Sequence, residues 1–140
     1  GNERIVDFGC GSGILAIAAL KLGAGCALGV DNDRQAVFAS RENAQRNGIE
    51  PEDFAVVLPD DGLIAQWDGS ADLMVANILA GPLVELADQL ISLTAPGGAI
   101  LLTGVLEAQA PQLIERYHDV NLEVSQQRDG WVLLAGEKPS

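Results

Sequence analysis

Three glycines at alternate positions, Gly9, Gly11 and Gly13, follow an apolar strand pattern over Arg4–Phe8. Glycine lets a ligand lie directly against the backbone, because it has no Cβ and tolerates positive φ. The helix predicted after this loop presents free N–H groups and the positive end of its dipole. The pattern therefore predicts a nucleotide-type cofactor pocket at the carboxyl end of a parallel strand. We expect Gly9, Cys10, Gly11 and Gly13 to bind the cofactor.

The glycine spacing bears on which cofactor binds. Counted from Gly9, the dinucleotide fingerprint G-x-G-x-x-G requires a third glycine where Ile14 stands. Counted from Gly11, the last position is Ala16, a tolerated variant. Asp7 precedes this loop, and a carboxylate there suits an ammonium group and repels a pyrophosphate. S-adenosylmethionine (SAM) has an amino acid end and no phosphate, so the pattern favours it. A dinucleotide and a ligand-free tight turn remain alternatives.

Asp31 ends the second predicted strand, 22 residues after Gly9. A carboxylate at that place can accept hydrogen bonds from both ribose hydroxyls of a nucleotide. Asn32 follows at the same strand end, so both residues are cofactor-binding candidates. The alternative is that Asp31 only caps the next helix, although Asp33 is better placed as its N-cap. Asp31 does not separate SAM from a nicotinamide dinucleotide, because both contain that ribose.

Asp60 and Asp61 follow the third predicted strand. A carboxylate at this strand end can accept a hydrogen bond from the 6-amino group of adenine. The alternative is that either aspartate only starts a helical turn. We count both as cofactor-binding candidates, with Asp60 slightly ahead of Asp61.

The pattern D-x-G-x-G-x-G from Asp7 to Gly13 resembles motif I of class I SAM-dependent methyltransferases. Members that act on planar nitrogens usually carry Asn/Asp-Pro-Pro-Tyr at the end of the fourth strand. Here Asn77 is present, but Ile78-Leu79-Ala80 replace the other three residues, so no ring can stack on a flat substrate. Such a pocket suits an aliphatic amine. Asn77 and Ile78 are therefore the catalytic candidates, with Asn77 also beside the cofactor, and the alternative for Asn77 is a helix N-cap.

Composition limits the class of protein. The 140 residues, 48% of them hydrophobic, predict one folded domain. No apolar stretch reaches the roughly 18 residues that a membrane span needs. With a net charge of −12 and eight scattered Lys and Arg residues, direct nucleic-acid binding is not expected. The negative electrostatic field of the chain would attract a basic protein partner. The alternative is that the acidity only aids solubility. Cys10 and Cys26 predict no metal site, and so few cysteines fit a reducing cytoplasm.

Strand and helix patterns alternate along the chain, which predicts an α/β fold with a mostly parallel sheet and helices on both faces. Ser12 is expected to cap the first helix, residues 14–20 to form a buried helical segment, and residues 79–93 to form a single helix. Pro96-Gly97-Gly98 predicts a turn, and Asp129-Gly130 predicts a hairpin between the last two strands. The strands are expected at residues 4–8, 26–30, 54–58, 71–76, 99–103, 122–126 and 131–135.

Three other side chains carry weaker signals. Trp67 and Trp131 are expected to be packing residues, and the alternative for Trp131 is a position beside the site. His118, the only histidine, stands beside Asp119 near a predicted helix end, where a cation complements the helix dipole. We therefore assign none of them to catalysis.

Beyond motif I, the chain resembles the bacterial PrmA family over nearly all of its length. The most particular segment is Asn-Ile-Leu-Ala-Gly-Pro-Leu, which begins at Asn77. The segments that carry the resemblance are residues 6–16, 40–44, 75–83, 103–106 and 131–132. Enzymes of this family methylate the stalk-base protein numbered eleven of the large ribosomal subunit.

The resemblance implies methyl transfer from SAM to lysine ε-amines and an N-terminal α-amine of that basic ribosomal protein. It implies a class I Rossmann-like fold whose seven strands lie in the order third, second, first, fourth, fifth, seventh, sixth, with the seventh antiparallel. Residues 1–140 would be the methyltransferase catalytic domain. The family's N-terminal substrate-recognition domain and a Gly/Thr-rich cofactor segment before the first strand are absent from this chain.

Three other functions stay open. The chain could be a class I methyltransferase for another protein or a small molecule, or a SAM-binding module that is inactive without the missing domain. It could also be an NAD-binding domain. The cofactor that binds separates the last alternative from the others, and turnover of a basic ribosomal protein separates the rest.

Overall fold

The computed structural model describes all 140 residues as seven strands and six α-helices. The strands are β1 (Arg4–Phe8), β2 (Cys26–Val30), β3 (Phe54–Val57), β4 (Ala71–Asn77), β5 (Thr94–Leu106), β6 (Glu123–Arg128) and β7 (Trp131–Glu137). The α-helices are α1 (Ile14–Lys21), α2 (Arg34–Arg46), α3 (Leu63–Gln66), α4 (Ala80–Glu85), α5 (Ala87–Leu93) and α6 (Ala110–Arg116). Two 3₁₀ turns lie at Glu107–Gln109 and His118–Val120.

All seven strands form one sheet in the order β3-β2-β1-β4-β5-β7-β6. Strands β1 to β5 are parallel to one another, and β7 is antiparallel to both β5 and β6. The expected strand order and direction are confirmed. Because the order reverses between β1 and β4, the carboxyl ends of β1, β2 and β4 surround a topological switch point, where open α/β sheets bind ligands.

Helices cover both faces of the sheet, as expected. On one face, α1 and α2 bury an apolar cluster of Ile5, Cys10, Ala16, Ile17, Ala27, Val37, Ala44, Phe54 and Val56. The larger cluster, on the other face, joins the sheet to α3, α4, α5 and α6 and includes Ile64, Trp67, Leu83, Leu90, Leu113 and Tyr117. Because side chains alternate along a strand, Asp7 points to the same face as Ile5, toward α1.

The predicted hairpin is confirmed between β6 and β7. Arg128 pairs with Trp131, and Asp129 and Gly130 between them both have positive φ, 53° and 83°. Two positive φ values define the type I′ turn, whose twist matches that of antiparallel strands. The hairpin tip lies against the end of β5, where the Glu107 N–H donates to the Gly130 carbonyl (2.8 Å).

The start of α1 differs from its sequence-based prediction. The helix begins at Ile14, and its N-cap is Gly13 in the left-handed conformation (φ 84°) with no side-chain cap, so the Ser12 prediction is wrong. Ser12 instead contributes its carbonyl, which accepts a hydrogen bond from Nδ2 of Asn43 on α2 (2.9 Å). This hydrogen bond joins the loop to a neighbouring helix, which local sequence cannot reveal, and the first N–H groups of α1 remain without a side-chain cap.

The expectation of a wholly buried helix at residues 14–20 is also wrong. Only Ala16 and Ile17 of α1 are buried, whereas the side chains of Ile14 and Leu15 are 68% and 50% exposed. A helix that lies on a sheet covers one stripe of its surface, whatever the composition of its other side. The exposed pair lies beside the glycine loop.

Two other elements differ from expectation. The helix predicted at residues 79–93 is divided at Leu86 into α4 and α5, and no Gly or Pro marks the break. Pro96-Gly97-Gly98 lies inside β5 instead of forming the turn before it. The main chain of Lys138, the residue after β7, pairs with this part of β5. The Lys138 carbonyl accepts from the Gly97 N–H (2.8 Å), and the Lys138 N–H donates to the Gly98 carbonyl (2.9 Å).

Among the helices of the structure, none combines the length and the hydropathy required to cross a bilayer.

Candidate functional site

A cavity of about 370 Å³ lies at the carboxyl ends of β1, β2 and β4. It brings together five of the predicted site residues: Gly9, Asp31, Asn32, Asn77 and Ile78. The remaining walls are formed by Phe8, Val30, Pro59, Leu79, Pro82 and Leu86. A larger depression of about 630 Å³, between the end of α2 and the edge strand β3, contains none of the predicted residues. The smaller cavity is therefore the candidate site.

The glycine loop (residues 9–13) adjoins the cavity, and its first residue, Gly9, lines it. The N–H groups of Gly9 and Cys10 both donate to the carbonyl of Val30 at the end of β2 (2.6 and 3.1 Å). Gly11 has a φ of 56°, and a Cβ built on it would meet no atom within 4 Å. A side chain at residue 11 would therefore occupy only open space, which is the arrangement expected where a ligand lies against bare backbone.

Gly11 is held from both sides by side chains of other elements. Its N–H donates to Oδ2 of Asp31 (2.9 Å), and its carbonyl accepts from Oγ of Ser40 on α2 (2.7 Å). Ser40 is fully buried. Ser40 was not among the residues predicted for the site. Its signal was a hydroxyl on the buried side of an amphipathic helix, where a polar group needs a partner.

Asp31 keeps acceptor capacity for a ligand. Each carboxylate oxygen accepts one backbone hydrogen bond, Oδ2 from Gly11 and Oδ1 from Asp33 (3.0 Å). A carboxylate offers about four acceptor positions, so two remain. Asp33 is the N-cap of α2, as predicted, and its Oδ1 accepts from the Gln35 N–H (2.9 Å). Capping by Asp33 leaves Asp31 free of that role.

Asp7 lies beneath the glycine loop and not on the open wall of the cavity. Its side chain is 1% exposed, and neither of its carboxylate oxygens accepts a hydrogen bond. Burial raises the pKa of Asp7 to about 6. The Ala16 N–H lowers the pKa without reaching hydrogen-bonding geometry, and the Asp31 carboxylate raises it. The fold thus holds a carboxylate that has no donor of its own.

Cys10 serves the loop through its backbone. Its thiol is buried and lies 3.5 Å from Oγ of Ser40. Burial raises the pKa of the Cys10 thiol to about 11, although the Ser40 hydrogen bond lowers it. At neutral pH the sulfur is a neutral thiol, so it is not a nucleophile.

Asp60 and Asp61 lie outside the main cavity. They line a separate depression of about 290 Å³ beside Phe38 of α2, while the preceding Pro59 lines the main cavity. Oδ1 of Asp61 accepts from the Leu63 N–H (2.9 Å), so Asp61 starts the turn of α3, which was the alternative for it. The structure therefore does not bring these two residues to the other five.

Asn77 is the last residue of β4, and its side chain is exposed at the cavity. The N-cap of α4 is Leu79, two residues later, so the alternative that Asn77 caps this helix is wrong. The Asn77 side-chain amide therefore has no helix-capping role. Ile78 and Leu79 continue along the cavity wall, and Leu79 is 75% exposed.

Of the remaining candidates, Trp67 is buried in the core, whereas Trp131 and His118 are exposed. Trp67 is buried, and the Arg4 guanidinium lies 4.2 Å from the centre of its ring, which confirms it as a packing residue. Trp131 is 53% exposed, pairs with Leu106 and does not line the cavity. His118 is exposed and lies 3.1 Å from Asp119, and neither residue lines the cavity.

The chain is similar in sequence to proteins of one family. A family model described as "Ribosomal protein L11 methyltransferase (PrmA)" matches residues 1–139. A ribosomal protein L11 methyltransferase of Pseudomonas paraeruginosa is 53% identical over 138 residues, or 98% of this chain. The chain spans about half, 46%, of the length of that relative.

Solved structures show the same architecture. A ribosomal protein L11 methylase of Lactobacillus delbrueckii subsp. bulgaricus superposes with a TM-score of 0.81 at 35% identity, covering 99% of this chain and 71% of that chain. An RNA methyltransferase of Salinibacter ruber, solved in complex with S-adenosyl-L-homocysteine, has a TM-score of 0.69 at 18% identity, covering 99% of this chain and 82% of that chain. At such low identity, the second likeness concerns the fold alone.

Proposed function

The chain belongs to the ribosomal protein L11 methyltransferase (PrmA) family, and we propose that it binds SAM and transfers methyl groups to amino groups of a basic ribosomal protein. The acceptors would be lysine ε-amines and an N-terminal α-amine. Residues 1–140 would act as the catalytic domain, and the other half of a protein of the relatives' length would recognise the substrate.

The observation that carries this proposal is the meeting of Gly9, Asp31 and Asn77 around one cavity at the switch point of the sheet. These residues come from the ends of three strands and are far apart in the sequence. Bare backbone, a carboxylate and a carboxamide facing one space can hold the amino acid, ribose and methyl-bearing parts of one ligand.

The residues present fit SAM. Asp7 has two buried oxygens without donors, and an ammonium group near them would relieve the cost of that burial. Asp31 retains two acceptor positions for the ribose hydroxyls. Gly11 leaves room against its Cα. Asn32 lines the same cavity, and we assign the adenine amino group to Asp60, because it adjoins the cavity-lining Pro59.

When bound, SAM supplies a methyl group on a sulfonium that is already a good leaving group, so the protein's task is alignment. The amine must be neutral to react, although the pKa of a free lysine is about 10.4. Ile78 and Leu79 form an apolar wall that disfavours the charged amine. The side-chain oxygen and main-chain carbonyl of Asn77 accept the amine's hydrogens and orient its lone pair. Transfer to the nitrogen would form the new N–C bond as the methyl carbon–sulfur bond of SAM breaks, S-adenosylhomocysteine would leave with the bonding electrons, and the surplus proton on nitrogen would pass to solvent.

The acidity of the chain supports a basic protein substrate. A formal net charge of −12 attracts a cationic partner over a distance of about a Debye length, roughly 8 Å at physiological salt. The two cysteines are both free thiols, which agrees with the cytoplasm as the proposed location.

Calorimetric titration of this chain with S-adenosylhomocysteine, with NADH as the control, tests the proposal. Binding of S-adenosylhomocysteine alone is the expected result. Binding of NADH alone would replace the proposal with a dinucleotide-binding function. If neither ligand binds this chain, the full-length protein is titrated next, and failure there as well would refute the proposal.

A further inference from the structure

The side chain of Asn77 lies against the backbone of a residue on the neighbouring strand. Asn77 pairs with Thr103 of β5, and the pairing of β5 with β7 becomes irregular between Leu102 and Val105. Gly104, inside this irregular segment, has a φ of 74°. A Cβ built on Gly104 would lie 2.9 Å from Oδ1 of Asn77, closer than such atoms normally approach. The Asn77 carboxamide therefore occupies space that only glycine at residue 104 leaves open.

A second glycine, Gly9, approaches Asn77 and Ile78 from the side opposite Gly104. A Cβ built on Gly9 would lie 2.8 Å from the main-chain oxygen of Asn77 and 2.5 Å from Cγ2 of Ile78. Gly9 thus faces the main-chain carbonyl of Asn77, whereas Gly104 faces the side chain of Asn77. In sheet order, β4 lies between β1 and β5, so the two glycines enclose the end of β4.

We propose that Gly104 is a positioning residue: because it lacks a Cβ, it leaves the space that the Asn77 carboxamide occupies in its orientation at the cavity. This inference rests on the function proposed above for Asn77. The atom that a Cβ at residue 104 would meet is the end of a flexible side chain, so Asn77 would rotate away while the strand stayed in place. Substitution of Gly104 therefore affects alignment of the amine more than it affects folding.

The first test compares Gly104→Ala with Gly48→Ala in the full-length protein. Gly48 has nearly the same φ, 72°, but a Cβ there would meet no atom within 4 Å, and it lies at the end of α2, away from the cavity. Both variants place alanine at a positive φ, so both should lower Tm. Only Gly104→Ala should lower kcat/KM for methyl transfer, by about ten-fold or more, because small misplacements of aligning groups are costly. Equal activity of the two variants would overturn the inference.

The second test is a double-mutant cycle with Asn77→Ala, which a merely structural role of Gly104 would not satisfy. If Gly104 acts through Asn77, Gly104→Ala should change kcat/KM by less than about two-fold once Asn77 is alanine. Additive losses in the double variant would overturn the inference but leave the role of Asn77 intact. An Asn77→Ala variant with undiminished turnover would overturn the proposed role of Asn77 and this inference with it.

Discussion

Asp7 is the residue whose environment departs most from that of an ordinary aspartate. Its pKa of about 6 lies above the value of about 4 in an unfolded chain, because burial disfavours the carboxylate. The folded state therefore holds a proton that the unfolded state releases between about pH 4 and pH 6. The contribution of Asp7 to stability is full below about pH 4 and is lost as the pH rises through about 6.

Replacing Asp7 by Asn should remove this pH dependence. We expect the difference in unfolding free energy between Asp7→Asn and the unmodified chain to shift in favour of the variant by roughly 1–3 kcal/mol from pH 4 to pH 7, without ligand. Urea denaturation at several pH values measures this difference. A difference that does not vary with pH would show that the pKa of Asp7 is not raised in the folded, cofactor-free protein.

The same carboxylate predicts how affinity depends on pH. An ammonium partner favours ionised Asp7, so binding should release a proton below about pH 6. The Kd for S-adenosylhomocysteine should then rise as the pH falls below 6, by up to about ten-fold per unit. Titrations in buffers of different ionisation enthalpy count the released proton. A Kd independent of pH between 5 and 7 would remove Asp7 from the proposed site.

Asp31 and Asp33 offer a matched comparison, because they are neighbouring aspartates with different roles. Asp31→Ala removes the acceptor of the Gly11 N–H and the proposed ribose contacts, so Kd for S-adenosylhomocysteine should rise by about 100-fold. Asp33→Ala removes the N-cap of α2 and should cost about 1 kcal/mol of stability with little change in Kd. Calorimetry and thermal denaturation of both variants check this, and equal affinity losses would contradict it.

At the scale of elements, α2 shapes a loop that belongs to β1 and α1. Ser40 and Asn43 of α2 donate to the carbonyls of Gly11 and Ser12, so the helix fixes two successive peptide groups of the loop. Gly13 lies in the same contact, since a Cβ there would be 3.2 Å from Oγ of Ser40. The conformation of the glycine loop therefore depends on α2, a helix that follows it in the chain.

Removal of the Ser40 hydroxyl should weaken cofactor binding. Ser40→Ala leaves the Gly11 carbonyl without its donor, so we expect a loss of about 1–3 kcal/mol in stability and a rise of about ten-fold in Kd for S-adenosylhomocysteine. Thr94→Val is the control, because Oγ1 of Thr94 is equally buried and donates to Leu90 (2.9 Å), away from the loop. This control should lose stability but keep its affinity. Unchanged affinity in Ser40→Ala would show that the loop does not need α2.

For the whole molecule, the negative charge predicts that kcat/KM for the proposed protein substrate depends on salt, whereas the affinity for the cofactor does not. With a formal net charge of −12, association with a basic ribosomal protein should slow as ionic strength rises, because counterions screen the attraction. Between about 50 and 300 mM salt we expect kcat/KM for the protein substrate to fall several-fold, while Kd for S-adenosylhomocysteine changes little. Steady-state kinetics and calorimetry over the same salt range test this, and a salt-independent kcat/KM would assign the acidity to solubility alone.

Predictions from local signals succeeded where one short segment contains the cause. The Asp129-Gly130 hairpin and the Asp33 cap are of this kind, because turn and cap chemistry act within a few residues. The wrong predictions concern segments whose hydrogen-bond partners are distant in the sequence. Gly13 is the N-cap of α1, while the Ser12 carbonyl accepts from Asn43 of a different helix. Pro96-Gly97-Gly98 lies within β5, where the backbone of Gly97 and Gly98 bonds to that of Lys138. Asn43 and Lys138 are both distant in the sequence from these segments.

The sequence by itself determined the α/β fold and the carboxyl-edge location of Gly9, Asp31 and Asn77, because strand ends of a parallel sheet meet at one edge once strand and helix alternate. Only the tertiary structure decided the surroundings of those residues. It buried Asp7 without a donor, placed Asp60 and Asp61 in a separate depression, and set Gly104 against Asn77. The physical reason is that burial, hydrogen-bond partners and close approach are set by neighbours from other strands and helices. A one-dimensional pattern indicates that such neighbours exist but does not identify them.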